Sequence, residues 1–289
     1  MPPVKRRRPP QAVSPGPALR AAQRDLRSLA TLLHTLAGDL AASAPSARTG
    51  RLAPRIARWR REARAVLGEL QSRRGAALSA QLRALGLGGA SQGLKLHLGA
   101  ADASLPGWVN VDRWPAELAM DLRWGLPFAD GAADAVYLCH VLEHFYYPDE
   151  ALPVLEDIRR VLAPGGTARI VVPDIGRSLR AYVGKDRKFF AARRTNWPWW
   201  PKAVSRLEQV LGYAGVGAGP ESALDGHKFG YDFETLRALL RRAGFARVVR
   251  SHYMRSRIPG LRIDDASRVA SAHFGRRYFS LFMDAQRGR

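Results

Sequence analysis

The sequence has one cysteine, Cys139, among 289 residues. No intramolecular disulfide can form, and a structural zinc site built on cysteines is excluded. This fits a reducing compartment, and the cytoplasm is the expected location. Acidic residues are also scarce: 25 Asp and Glu against 46 Lys and Arg leave a net charge of +21. That excess bears on partners rather than on fold, and it points to solvated basic faces and anionic partners such as RNA or a membrane surface. No run of about 18 or more apolar residues occurs, so no membrane-spanning helix is expected. The basic, proline-rich start from Met1 to Pro10 lacks the apolar core of a secretory signal. No internal repeat is visible, which argues against a solenoid.

A hydrophobic fraction of 46% supplies a core for one large domain with an appendage. The charge is spread unevenly. Residues 1–92 carry 17 Lys and Arg and 4 Asp and Glu, hence +13, and the other 197 residues carry the remaining +8. Residues 1–16 hold Lys5, Arg6, Arg7, Arg8 and five prolines, a composition expected of a disordered basic tail. Residues 17–92 read as a basic helical extension. There Leu26, Leu29, Leu32, Leu33, Leu36 and Leu40 recur at helical spacing, and a second helical stretch covers 56–85. Beyond Gly93, strands at 94–98, 109–111, 135–138 and 168–172 are interspersed with helices at 149–162 and 232–243. The first helix ends at Ala163-Pro164-Gly165-Gly166; the second is capped by Asp232 and followed by Gly244. Strands at 247–250 and 278–283 follow. This alternation predicts an α/β fold with a mostly parallel sheet covered on both faces.

In such a sheet, ligands sit beyond the carboxyl ends of the strands, where strand order reverses. The first strand runs into Gly99-Ala100-Ala101-Asp102 and then Gly107, and a glycine there lets backbone approach a ligand closely. The second ends on Asp112, placed to accept from both hydroxyls of a ribose. Asp121 can accept from an adenine amino group while Leu122 packs on the ring. His140-Val141-Leu142-Glu143-His144 has the H-x-x-E-H spacing of inverted zinc proteases, with two His on a metal and Glu as base. That use needs a long helix around the motif, whereas here a strand ends just before His140 and Pro148 follows soon after. No metal is assigned, and His144 is expected at a strand-to-helix turn, facing the cleft or packing. His227 lies between a glycine-rich loop and the helix capped by Asp232, where an imidazole suits a general base. A hydrogen-bonded structural role is the alternative. Residues 185–226 are too long for a simple connection. They set Phe189, Phe190, Trp197, Trp199, Trp200 and Tyr213 among basic side chains, which predicts either a substrate cap or a lid packed on the sheet.

Taken together, Leu94-Lys95-Leu96-His97-Leu98-Gly99, the run Leu105 to Asp112, Asp121-Leu122, His140 to His144 and Leu162-Ala163-Pro164-Gly165-Gly166 resemble the class I methyltransferases of the type 11 group. The likeness is dense over 94–174 and returns at His227-Lys228-Phe229-Gly230-Tyr231-Asp232. It implies a Rossmann-like sheet with an antiparallel last strand, a methyltransferase domain over 93–289, and S-adenosyl-L-methionine as cofactor. By the resemblance, Leu98, Gly99, Ala100 and Ala101 hold the methionine part, Asp112 the ribose, and Asp121 with Leu122 the adenine. Cys139 and His140 would line the floor near the transferred methyl, with His144 and His227 as the candidate catalytic residues. Two departures stand out. Ala101 replaces a second glycine, and the connection from Leu98 to Val109 is short for a full crossover helix.

Enzymes of this kind that methylate planar amino groups carry Asn or Asp, then Pro-Pro and an aromatic, after the fourth strand. Here that place reads Leu138-Cys139-His140-Val141. With that grip absent O-methylation fits better, and the resemblance to the type 11 group, often linked to surface-polysaccharide pathways, implies a glycan or another small polar metabolite as the acceptor. The alternatives are an RNA-directed methyltransferase whose basic N-terminal helices hold phosphates, and a catalytically idle binding module on the same fold.

Overall fold

The computed structural model describes residues 58–59, 75–88, 91–101, 103–113, 116–196, 205–215 and 226–289. The chain divides into two compact units, Met1–Gly86 and Leu87–Arg289. Within the first, residues 75–84 are helical; the leucine stripe from Leu26 to Leu40 lies outside the described residues. No helix among the described residues is long and apolar enough to cross a membrane.

The second unit is built on a seven-stranded sheet of order β3-β2-β1-β4-β5-β9-β6. Its strands are β1 (Leu94–Leu98), β2 (Val109–Asp112), β3 (Leu118–Ala119), β4 (Ala133–Cys139), β5 (Leu162–Pro173), β6 (Arg247–Arg250) and β9 (Ser280–Gln286). A separate two-residue pair, β7 (His273–Phe274) with β8 (Arg277–Tyr278), lies outside it. The first five sheet strands pair in parallel, and β9 runs antiparallel to both β5 and β6. The predicted α/β sheet with an antiparallel last strand is thus the observed one. Leu96, Leu98, Val111, Val136, Leu138, Ile170 and Val172 are buried, as continuous apolar strands covered on both faces must be.

Helix α1 (Ala151–Val161) buries Val154, Leu155, Ile158 and Val161, while Leu152 stays half-buried. The breaker cluster after it does not separate helix from strand. Ala163 to Gly166 instead loop out of register within β5, since Ala133 pairs with Leu162 and Ala135 with Thr167. Helices α2 (Ile175–Val183), α3 (Arg187–Asn196) and α4 (Arg206–Tyr213) follow β5, and α5 (Phe233–Arg242) is capped by Asp232, whose side chain accepts from Thr235 N–H.

Two polar devices tie the sheet to the loops around it. Arg169 on β5 is fully buried and forms a fork to Asp264 at 2.7 Å through both Nε and Nη2, with Nη1 2.7 Å from Asp284 on β9. Buried charge is tolerated only when paired in this way. Between β1 and β2, residues 99–108 contain no helix among those described. Asn110 does the ordering there: Oδ1 accepts from Leu105 N–H at 2.8 Å, and Nδ2 donates to Leu105 O and Trp108 O at 3.2 Å. The short connection is therefore a side-chain-stapled loop.

Candidate active site

The strand order reverses between β1 and β4: the chain builds β1, β2 and β3 outward on one side, then returns to place β4 on the other. Ligands of open parallel sheets bind at that switch point. Gly99 follows β1 directly at φ +73°. A Cβ there would overlap the Val141 side chain, so the turn after β1 and the turn after β4 meet at this glycine. The N–H groups of Gly99 and Ala100 both donate to Val111 O, at 2.8 and 3.1 Å. Ala101 sits at φ +44°, the left-handed region that costs a non-glycine residue about 1 kcal/mol or more. Its N–H donates to Asp112 Oδ2 at 2.8 Å, which ties the loop to the end of β2.

Asp112 thus accepts Ala101 N–H on one oxygen and Arg113 N–H on the other. Each carboxylate oxygen has room for a second donor, so Asp112 can still take hydroxyl donors. Asp121 is less available. It caps the turn Leu122–Trp124 through Arg123 N–H, and its two oxygens take Arg123 Nε and Nη2. An adenine amino group would share this carboxylate with an arginine. Leu122 beside it is buried.

At the end of β4, burial pushes the Cys139 thiol up to about 12, so it is protonated and no nucleophile. His140 turns at φ +54°, a strained conformation of the kind that collects at functional sites. Two contacts hold it: Nε2 lies 2.8 Å from Ser280 Oγ, and Nδ1 lies 3.3 Å from Glu143 Oε1. After Cys139 there is only the short turn Leu142–His144. The long helix that an inverted zinc-protease motif needs is not present here. Instead the turn delivers His144 against His227, ring centroids 4.9 Å apart and edge to face.

Glu143 is the residue that the sequence reading leaves unassigned. Its side chain is 0% exposed, and neither carboxylate oxygen has a hydrogen-bond partner. Its backbone carbonyl accepts Lys228 N–H at 2.7 Å and Phe229 N–H at 3.2 Å, which fastens the segment carrying His227 to the β4 turn. His227 Nδ1 is 2.7 Å from Tyr213 O, so that nitrogen carries the proton and Nε2, 3.9 Å from Glu143 Oε1, carries a lone pair. Burial lowers the His227 pKa despite the nearby carboxylate. Burial also works to raise Glu143, but the attraction of His140, His227 and His144 outweighs it, and its pKa is lowered. Next to this cluster, Tyr147 stacks on Phe229 at 4.2 Å, and Tyr146 is 55% exposed. Phe189, Phe190 and Tyr213, which by sequence fit either a substrate cap or a packed lid, are buried in an apolar cluster with Ile175, Val210 and Phe279. Trp197, Trp199 and Trp200 lie outside the described residues.

Residues 110–170 match the family model of a methyltransferase domain, the type 11 group. No curated protein matches. Among solved structures, an S-adenosylmethionine-dependent methyltransferase from Archaeoglobus fulgidus is 13% identical at TM-score 0.37, over 74% of this chain and 94% of that one. A Haemonchus contortus phosphoethanolamine N-methyltransferase 2 in complex with S-adenosyl-L-methionine is 12% identical at TM-score 0.35, over 69% and 50%. The protein is a methyltransferase, and the matched segment, residues 110–170, runs from β2 into β5 across the switch point of the sheet. It is an enzyme whose cofactor is S-adenosyl-L-methionine, and the side-chain-free cradle at Gly99 and the remaining acceptor capacity of Asp112 fit that group.

Proposed function

We propose that the enzyme methylates a hydroxyl group of a glycan or another small polar metabolite. The observation that carries this reading is the lone pair of His227 Nε2. It is fixed by the Nδ1 bond to Tyr213 O and lies 3.9 Å from the buried Glu143 carboxylate, on the turn after β4. A hydroxyl must lose its proton to become a good nucleophile, and a neutral imidazole with a carboxylate behind it accepts one. Amino groups of planar amides need a different grip, and Leu138-Cys139-His140-Val141 does not supply it.

In this reading the bound cofactor supplies the sulfonium methyl. Leu98, Gly99, Ala100 and Ala101 hold its methionine part, Asp112 its ribose, and Leu122 with Asp121 its adenine. Cys139 and His140 form the floor, with His140 held rigid by Ser280. His144 and His227 face the acceptor. The ring pair Tyr147–Phe229 and the exposed Tyr146 give a sugar ring a flat apolar surface to stack on. A methyl-transfer screen over nucleotide sugars, oligosaccharides and RNA, each at low and high salt, tests the assignment. Transfer to a sugar hydroxyl at a rate indifferent to salt is expected.

A second reading is favoured by one observation, the +13 charge of residues 1–92. It makes the acceptor an RNA held through its phosphates. Transfer to RNA that weakens steeply with ionic strength, with no sugar acceptor found, would select it.

A further inference from the structure

We propose that Glu143, His144 and His227 hold a divalent transition-metal ion beside the acceptor site. One ligand atom from each side chain lies within 4.8 Å of the others. Ligands about 2.1 Å from a tetrahedral ion are roughly 3.4 Å apart, so side-chain adjustments of about 1 Å bring the three into coordination.

Three independent features point the same way. The first is Glu143, a fully buried carboxylate whose closest polar neighbour is the His140 ring, in ion-pair contact at 3.3 Å but without hydrogen-bond geometry on either oxygen. Buried carboxylates are ordinarily paired or bound to a metal; the nearest nitrogens, on His140 and His227, stand 3.3 and 3.9 Å away. The second is the outer partner of His227. An imidazole that binds metal through one nitrogen donates the other N–H to a carbonyl or carboxylate, which fixes tautomer and ring orientation. The bond from Nδ1 to Tyr213 O, at 2.7 Å, is such a contact, and it aims Nε2 at Glu143. The third is the pair of backbone bonds from Lys228 and Phe229 to Glu143 O, which lock the two ligand-bearing segments together across more than eighty residues of chain.

The donor set decides the kind of ion. Two imidazoles and one carboxylate suit Zn²⁺, Mn²⁺, Co²⁺ or Fe²⁺ and suit Mg²⁺ and Ca²⁺ poorly. Three protein ligands leave a coordination position open, as catalytic sites do. The ligand set differs from that of an inverted zinc protease: Glu143 is a ligand and not the base, and His140, held by Ser280 through Nε2, touches Glu143 Oε1 through Nδ1 from outside the three ligand atoms.

The role of the ion rests on the hydroxyl-methylating reading. An acceptor hydroxyl in the open position has its pKa lowered by the metal and gives its proton to water. Its oxygen forms the new C–O bond while the C–S bond breaks, and that electron pair stays on sulfur. With the ion in place, His144 and His227 act as ligands, and the activation assigned above to a bare imidazole passes to the metal.

The test uses untagged, chelator-treated full-length protein, titrated calorimetrically with ZnCl₂, MnCl₂ and MgCl₂ alone and with CoCl₂ by visible absorption. One transition ion per chain is expected, with Mg²⁺ bound at least about 100-fold more weakly. His144→Ala and His227→Ala should each weaken binding by more than about tenfold, since loss of even an outer-shell partner costs roughly 10–100-fold. Glu143→Gln should do the same. If it fails to fold, the two His variants decide, each with its metal-free unfolding midpoint as control. Absence of saturable binding by Zn²⁺, Mn²⁺ and Co²⁺ overturns the proposal, as does binding unchanged in both His variants. A parallel titration with S-adenosyl-L-methionine separates the two readings. Cofactor binding without metal binding removes only the ion, and metal binding without cofactor binding removes only the methyl transfer.

Discussion

The loop after β1 and the turn after β4 meet at Gly99 and Val141, yet they are built in different ways. The first is backbone architecture: N–H groups of Gly99, Ala100 and Ala101 bond to Val111 and Asp112, all within fourteen positions of sequence. The second is a side-chain assembly, in which Glu143 and His144 on one turn find His227, with Tyr213 O as the outer partner of His227 and Ser280 holding the neighbouring His140. A backbone cradle tolerates little variation in shape but asks little of side-chain chemistry. A side-chain cluster asks for particular atoms and leaves the backbone freer. Mutations should therefore divide: changes in the loop alter cofactor affinity and stability, and changes in the cluster alter turnover.

The largest expected effect lies in the cluster. His227→Asn should lower kcat by about 10²–10⁴-fold while the cofactor Kd stays within about threefold, read by steady-state kinetics and calorimetry. A matched loss of cofactor affinity would erase the contrast between the two regions.

Gly99→Ala is the corresponding break in the loop. Its φ of +73° and the overlap of a Cβ with Val141 should together cost about 2–4 kcal/mol of stability and weaken cofactor binding. Chemical denaturation of Gly99→Ala, Val141→Ala and the double variant measures the coupling. The double variant should recover the overpacking part and leave the strain of positive φ.

A smaller effect depends on pH. Because burial lowers the His227 pKa, the folded protein keeps this ring neutral where the unfolded chain begins to take a proton. The stability so gained is present above pH ~6.5 and is lost as pH falls toward the folded pKa, by at most about 1.4 kcal/mol per pH unit. Unfolding midpoints from pH 8 to pH 5 should fall less steeply for His227→Asn than for the wild type.

Ala101→Gly gives the smallest effect. Relief of the left-handed strain at φ +44° is partly offset by the greater freedom of glycine in the unfolded chain. A gain of about 1 kcal/mol or less is expected, with cofactor binding equal or tighter.

The same contrast explains what the sequence makes legible. Strand pattern, the caps at Asp232 and Gly244 and the short β1–β2 connection are local, and local pattern predicts them. The mostly parallel sheet with an antiparallel last strand follows from the resemblance to the type 11 group, while the strand order is read from the structure. The strain at Ala101 is also local, because the position needs a left-handed turn and only the residue type had to be read. Glu143 is different. The H-x-x-E-H spacing marks it, but nothing in the spacing says that its carboxylate is buried without a donor and faces a histidine from before α5. Phe189 and Phe190 show the same limit: aromatics beside basic residues fit a stacking cap and a packed lid equally, and only the fold shows both rings turned into a core. The Arg169 fork to Asp264 and Asp284 joins positions about 95 and 115 residues apart, beyond any periodicity.

The most direct test of the account is calorimetric titration of the full chain with S-adenosyl-L-methionine, alongside Asp112→Ala and Gly99→Ala. The account predicts saturable binding at one site per chain, weakened in both variants. No detectable binding at millimolar cofactor would contradict it.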